Sequence, residues 1–94
     1  MTDTELLNTT TEVIRSVVNN KNLEVKLKST LIGDLGLESI DLLDMSSELE
    51  NSLGWELDFR EVADKMSKES GTEVSMKNIR VEDLITYINT KDNS

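Results

Sequence analysis

The sequence contains no cysteine and no histidine among its 94 residues. It therefore offers no disulfide, no thiolate nucleophile and no imidazole base, and it lacks the usual ligands of structural zinc. These absences exclude most conventional active sites. We expect a protein that is not an enzyme and that has no metal centre.

Aromatic residues are scarce as well, since Trp, Tyr and Phe each occur once. Hydrophobic residues make up 36% of the chain, which is enough for one modest core but lacks the large rings that fill β-sandwiches. We therefore expect one all-α domain over residues 1–94, with its core at about 4–90 and a frayed tail at 91–94.

Long apolar runs are missing too, because no stretch approaches the roughly 18–20 residues that cross a bilayer. The first five residues, Met-Thr-Asp-Thr-Glu, are polar and acidic. A secretory signal would instead begin with basic residues and continue into an apolar stretch. These features predict a soluble, cytoplasmic protein without membrane insertion.

The charge is unevenly distributed along the chain. Residues 32–61 hold nine acidic side chains and one basic side chain, so this third carries −8 of the net charge of −9. Such a field repels nucleic acid and anionic membranes, and it steers basic protein partners. An acidic surface that is exposed to water and has no docking role explains the composition equally well.

Apolar residues at helical spacing predict a small four-helix bundle with three longer helices and a shorter third helix. A long loop at 21–38 separates the first two helices, and within it Val25–Leu27 alternates as a short strand would. Without a convincing second strand, we interpret this segment as an extended loop anchored by leucines. The predicted helices cover about 4–19, 39–53, 59–70 and 81–89.

The second helix has two distinct faces when its residues are placed 100° apart. Leu42, Met45, Leu49 and Leu53 form the predicted core stripe, whereas Ile40 and Leu43 lie nearly opposite, beside acidic residues. Exposed aliphatic side chains next to carboxylates are suited to transient protein docking. At the start of this helix, Ser39 is typical of a structural N-cap.

The octet at 34–41 reads Asp-Leu-Gly-Leu-Glu-Ser-Ile-Asp. It resembles the signature Asp-Leu-Gly-x-Asp-Ser-Leu-Asp of acyl carrier proteins. The closing segment at 79–88 is similar to that family's Ile-x-x-Val-x-Asp-x-x-x-Tyr-Ile pattern, and the likeness spans about residues 4–90. The resemblance implies a bundle of the acyl-carrier type.

By this resemblance, Ser39 carries a covalent 4′-phosphopantetheine arm from coenzyme A, installed by a phosphopantetheinyl transferase. The arm ends in a thiol, on which acyl groups travel as thioesters between separate enzymes with basic docking patches. The chain begins at Met1 without a flanking domain, so we expect a freestanding monomer. The implied docking residues are Glu38, Ile40, Asp41, Leu43, Asp44 and Glu48.

Several positions depart from the family pattern. Glu38 and Ile40 replace the usual Asp and Leu, and Trp55 is bulkier than the usual aliphatic residue. The segment from Arg60 to Asn78 is longer than in common fatty-acid carriers. We therefore expect a specialised carrier of lipid or polyketide-type biosynthesis, outside routine fatty-acid synthesis.

Three alternatives remain at the level of sequence. A peptidyl or aminoacyl carrier shares the same architecture and prosthetic chemistry. A carrier-like interaction module would use the acidic helix for docking and leave Ser39 unmodified as a cap. Acid–base catalysis by Asp41 and Asp44 is the weakest alternative, because these carboxyl groups lie on a solvent-facing surface.

Overall fold

A computed structural model describes residues 2–92 and contains four α-helices, α1 to α4, with no β-strand in that range. The expected all-α bundle is confirmed. A 3₁₀ turn at Met76–Asn78, within a segment predicted to be a loop, lies before the last helix. The helices are α1 Asp3–Val17, α2 Ser39–Leu53, α3 Phe59–Ser70 and α4 Val81–Asp92.

The bounds of α2 and α3 agree with the prediction, and each helix is followed by a glycine in the left-handed conformation, Gly54 or Gly71. The expectation of a shorter third helix is wrong, because α3 and α4 both contain 12 residues. Between residues 2 and 92, no helix combines the length and the apolar character needed to span a bilayer.

The core is formed by one apolar stripe from each helix. Helix α1 packs against both α2 and α4, and α3 packs against α4. On α2, the predicted stripe is buried at Leu42, Met45 and Leu49, while Leu53 is half-buried. On α1, Thr10 is fully buried within the stripe between Leu6 and Ile14.

The long loop before α2 is anchored to the start of α4. A single antiparallel bridge joins Thr30 to Arg80, so the predicted extended loop is confirmed and the alternative of a strand at Val25–Leu27 is not. The backbone N–H groups of Val81 and Glu82 donate to loop carbonyl oxygens at 3.0 and 2.9 Å. These bonds satisfy amides at the start of α4 that have no partner within the helix.

The last helix extends to Asp92 rather than ending near Asn89, so the predicted tail is helical at Lys91 and Asp92. Residues 93–94 lie outside the described residues. The indole Nε1 of Trp55 donates to an Asp92 carboxylate oxygen at 2.7 Å. The Lys91 ammonium lies 5.1 Å from the Trp55 ring centroid and 5.7 Å from that of Tyr87.

Candidate functional site

Ser39 is the first residue of α2, and the N-cap is the preceding residue, Glu38. The expectation that Ser39 caps the helix is therefore wrong. Instead, the Asp41 carboxylate accepts a hydrogen bond from the Glu38 backbone N–H at 2.8 Å. The Ser39 side chain is exposed, and its hydroxyl makes no hydrogen bond with any residue from 2 to 92. This hydroxyl is available for chemistry.

Hydrogen bonds and buried leucines stabilise the turn that precedes Ser39. Thr30 and Asp34 exchange two hydrogen bonds, because each backbone N–H donates to the other's side chain, at 2.8 and 2.9 Å. Gly36 has φ +76°, a left-handed conformation that side chains with a Cβ rarely adopt. On either side of it, Leu35 and Leu37 are buried. Ser39 therefore projects from a turn that the core fixes in place.

An open cavity of about 500 Å³ lies beside Ser39, between α2 and the start of α3, and we call it the Ser39 cleft. Buried apolar side chains form its floor, and half-buried Ser46 donates from its hydroxyl to the backbone carbonyl oxygen of Leu57, linking the two walls. The apolar residues that line the cleft include Leu42, Leu43, Leu57 and Phe59.

The predicted docking residues extend from the N-cap of α2 to Glu48, beyond the middle of the helix. Ile40 and Leu43 are 65% and 68% exposed, and both also line the Ser39 cleft. Glu38, Asp44 and Glu48 are exposed, whereas Asp41 is half-buried and bonded to the helix start. Helix α2 itself contains no basic residue.

Sequence reasoning missed the cleft residues that lie outside α2. Phe59, Arg60 and Met76 line the cleft from the start of α3 and from the 3₁₀ turn. No periodicity within one element links these positions to Ser39. The available signal was the unusual length of the segment from Arg60 to Asn78, which contains all of the 3₁₀ turn.

A family model described as "Phosphopantetheine attachment site" matches residues 8–70. Because the match covers most of the chain, the protein belongs to this family of phosphopantetheine-carrying domains. A search of curated proteins found no match.

The site fits the covalent 4′-phosphopantetheine that this family carries. Ser39 has an exposed hydroxyl with no hydrogen-bond partner among the described residues, and the first turn of a helix favours negative charge such as that of a phosphodiester. The adjoining cleft leaves open space on one side of the attachment point. When bound, the group supplies a terminal thiol for thioester formation.

Proposed function

We propose that the protein is an acyl carrier whose arm is attached at Ser39, and that it presents acyl groups to separate enzymes of specialised lipid or polyketide-type biosynthesis. The observation that carries the proposal is the exposed, unbonded Ser39 hydroxyl at the edge of an apolar cleft. The chain serves as the substrate of other enzymes and contributes no catalytic residue.

Attachment is a phosphoryl transfer from coenzyme A. The Ser39 oxygen forms a bond to the phosphorus that bears pantetheine, and the phosphoanhydride bond of coenzyme A breaks. The leaving group is adenosine 3′,5′-bisphosphate, and the serine proton passes to a base of the transferase. The free Ser39 hydroxyl has no internal hydrogen bond to lose in this step.

Partner enzymes approach the exposed end of α2 in this proposal. Ile40 and Leu43 supply apolar contact beside the attachment point, while Glu38, Asp44 and Glu48 attract basic patches. Exposed charges of this kind change association rates more than they change affinity. Asp41 serves docking less directly, because its carboxylate is engaged by the Glu38 N–H.

The apolar lining of the Ser39 cleft favours acyl cargo over aminoacyl cargo, whose charged amine would be desolvated there. The unmodified interaction module loses its main structural argument, because Glu38 and not Ser39 is the N-cap. The interaction-module hypothesis still makes one testable prediction: the protein should bind its partner without ever gaining a phosphopantetheine arm.

The test is the intact mass of the protein after incubation with coenzyme A, magnesium and a broad-specificity phosphopantetheinyl transferase. We expect one arm on the native protein and on Ser47→Ala, which removes another exposed serine of α2. Ser39→Ala should gain nothing. An unmodified native protein, or equal modification of Ser39→Ala, would overturn the proposal.

A further inference from the structure

A second groove of about 400 Å³ shares lining residues with the Ser39 cleft, and we call it the distal groove. Its walls come from α3 and from the chain between Gly71 and the 3₁₀ turn. Arg60 and Met76 line both cavities, so these two side chains stand between them. The remaining residues that matter here are Asp64, Ser67, Glu73 and Ser75.

Arg60 and Met76, which line both cavities, have side chains that can move. The Arg60 side chain is 83% exposed, and its ion pair with Asp58 is long, at 3.9 Å. Exposed ion pairs contribute little to stability, so Arg60 can leave this position at small cost. Met76 is half-buried and unbranched, and methionine adapts readily to a new neighbour. Displacement of these two side chains is the movement that would connect the two cavities.

The two cavities differ in chemistry. The Ser39 cleft is lined mainly by apolar side chains, whereas the distal groove carries the carboxylates of Asp64 and Glu73. Asp64 is paired with Lys68 at 3.1 Å, but Glu73 forms no ion pair within residues 2–92. The Ser67 hydroxyl accepts from the Val74 N–H at 2.7 Å and holds the outer wall in place.

We propose that cargo tethered at Ser39 passes between Arg60 and Met76 and places its far end in the distal groove. The cargo class that fits is an acyl chain that is apolar next to the thioester and carries a hydroxyl group, a hydrogen-bond donor, at its far end. Glu73 is the acceptor for that donor, with Asp64 beside it. This inference rests on the proposed attachment at Ser39.

The experiment loads the protein with butanoyl, dodecanoyl or ω-hydroxydodecanoyl groups from the corresponding acyl-coenzyme A. Backbone amide NMR shifts then locate the cargo, and the rate of thioester cleavage by hydroxylamine measures its protection. We expect ω-hydroxydodecanoyl cargo to shift the amides of Asp64, Glu73 and Met76, and butanoyl cargo to shift only residues of the Ser39 cleft. Cleavage of the hydroxylated thioester should be about threefold slower than that of dodecanoyl.

Two variants test the route of the cargo and its hydrogen-bond acceptor independently. Met76→Trp should block the channel and confine the shifts of long cargo to the Ser39 cleft, while Lys77→Trp, on the same turn, should change nothing. Glu73→Met, which removes the acceptor oxygens, should abolish the preference for the hydroxylated chain without altering dodecanoyl protection. If mass spectrometry shows no loading, the proposed function fails and this inference fails with it. A loaded protein whose long cargo perturbs only the Ser39 cleft, or ignores Met76→Trp, overturns this inference alone.

Discussion

The Asp41 carboxylate accepts a hydrogen bond from the backbone N–H of Glu38, across the first turn of α2. Sequence alone assigns the structural role at this helix start to Ser39 and the partner-facing role to Asp41. In the structure, Asp41 closes the helix start and the Ser39 hydroxyl stays unbonded. Asp41, close to the proposed attachment residue, therefore stabilises the helix start, and the Ser39 hydroxyl takes no part in that capping.

We predict that Asp41→Ala lowers the free energy of unfolding by about 1 kcal/mol, the usual effect of removing a capping interaction. Ser39→Ala should change it by less than about 0.5 kcal/mol, because its hydroxyl holds no partner. Urea unfolding followed by circular dichroism measures both changes. A larger loss for Ser39→Ala than for Asp41→Ala would contradict this assignment.

A second prediction concerns Thr10, which is fully buried and whose hydroxyl has no hydrogen-bond partner within the described residues. Thr10→Val replaces that hydroxyl with a methyl group of similar size. Because a buried polar group without a partner is destabilising, the variant should gain about 1 kcal/mol in unfolding free energy. Thr9→Val, at the half-buried neighbouring position, is the control and should show no comparable gain.

A third prediction concerns alkaline pH. Burial raises the pKa of the Tyr87 hydroxyl, and its 3.1 Å hydrogen bond to the Glu61 carboxylate raises it further, against the opposing effect of Lys91. The folded state therefore holds this proton more tightly than the unfolded chain does. The resulting stability is fully present below the ordinary pKa of about 10 and is lost as pH rises through the folded value.

The chain has one tyrosine, so ultraviolet absorbance of tyrosinate reports on Tyr87 alone. Native protein should ionise at higher pH than protein in urea. Glu61→Gln should lower the native midpoint towards the ordinary value. Coincident titration curves for native and urea-unfolded protein would rule out the proposed stabilisation of the protonated hydroxyl.

The end of α4 gives a fourth prediction. Asp92→Ala removes the acceptor of the Trp55 indole N–H, and Lys91→Ala removes the ammonium above the two aromatic rings. Each variant should lower the urea midpoint and alter the fluorescence of the single tryptophan. Lys77→Ala, an exposed lysine on the 3₁₀ turn, should do neither. A frayed helix end would instead make all three variants indistinguishable.

The fifth prediction concerns docking. Reversing charge in the double variant Asp44→Lys/Glu48→Lys should reduce the kcat/KM of arm attachment about tenfold at low salt, through slower association. Glu12→Lys/Glu24→Lys changes the net charge equally at exposed positions outside α2. If both double variants slow attachment to the same extent, net charge rather than the α2 surface governs the encounter.

Local signals determined how much of the fold was predictable. Gly54 and Gly71 directly follow α2 and α3 in the sequence. This local signal makes the C-terminal ends of both helices predictable. The end of α4 depends on Trp55, which is distant in sequence, and no local pattern reveals that contact. The 3₁₀ turn is only three residues long, too short for a periodic signal.

Some residues of the candidate site were likewise predictable from sequence, and others were not. The octet at 34–41 identifies Ser39 and the acidic face of α2 because these residues are neighbours in sequence. Arg60 and Met76 reach the Ser39 cleft only through the packing of α3 and the chain that follows it. The hydrogen bond from the Ser46 hydroxyl to the Leu57 carbonyl oxygen likewise depends on the folded loop between α2 and α3.

Buried Leu35 and Leu37 flank Gly36 just before Ser39, and this arrangement has a consequence for evolution and for engineering. The proposed attachment residue, Ser39, lies at the surface, and its position depends on side chains that are buried in the core. Conservative changes at those leucines should therefore impair recognition by the transferase while the protein still melts at nearly its usual temperature. Screens that select only for thermal robustness would miss this class of defect.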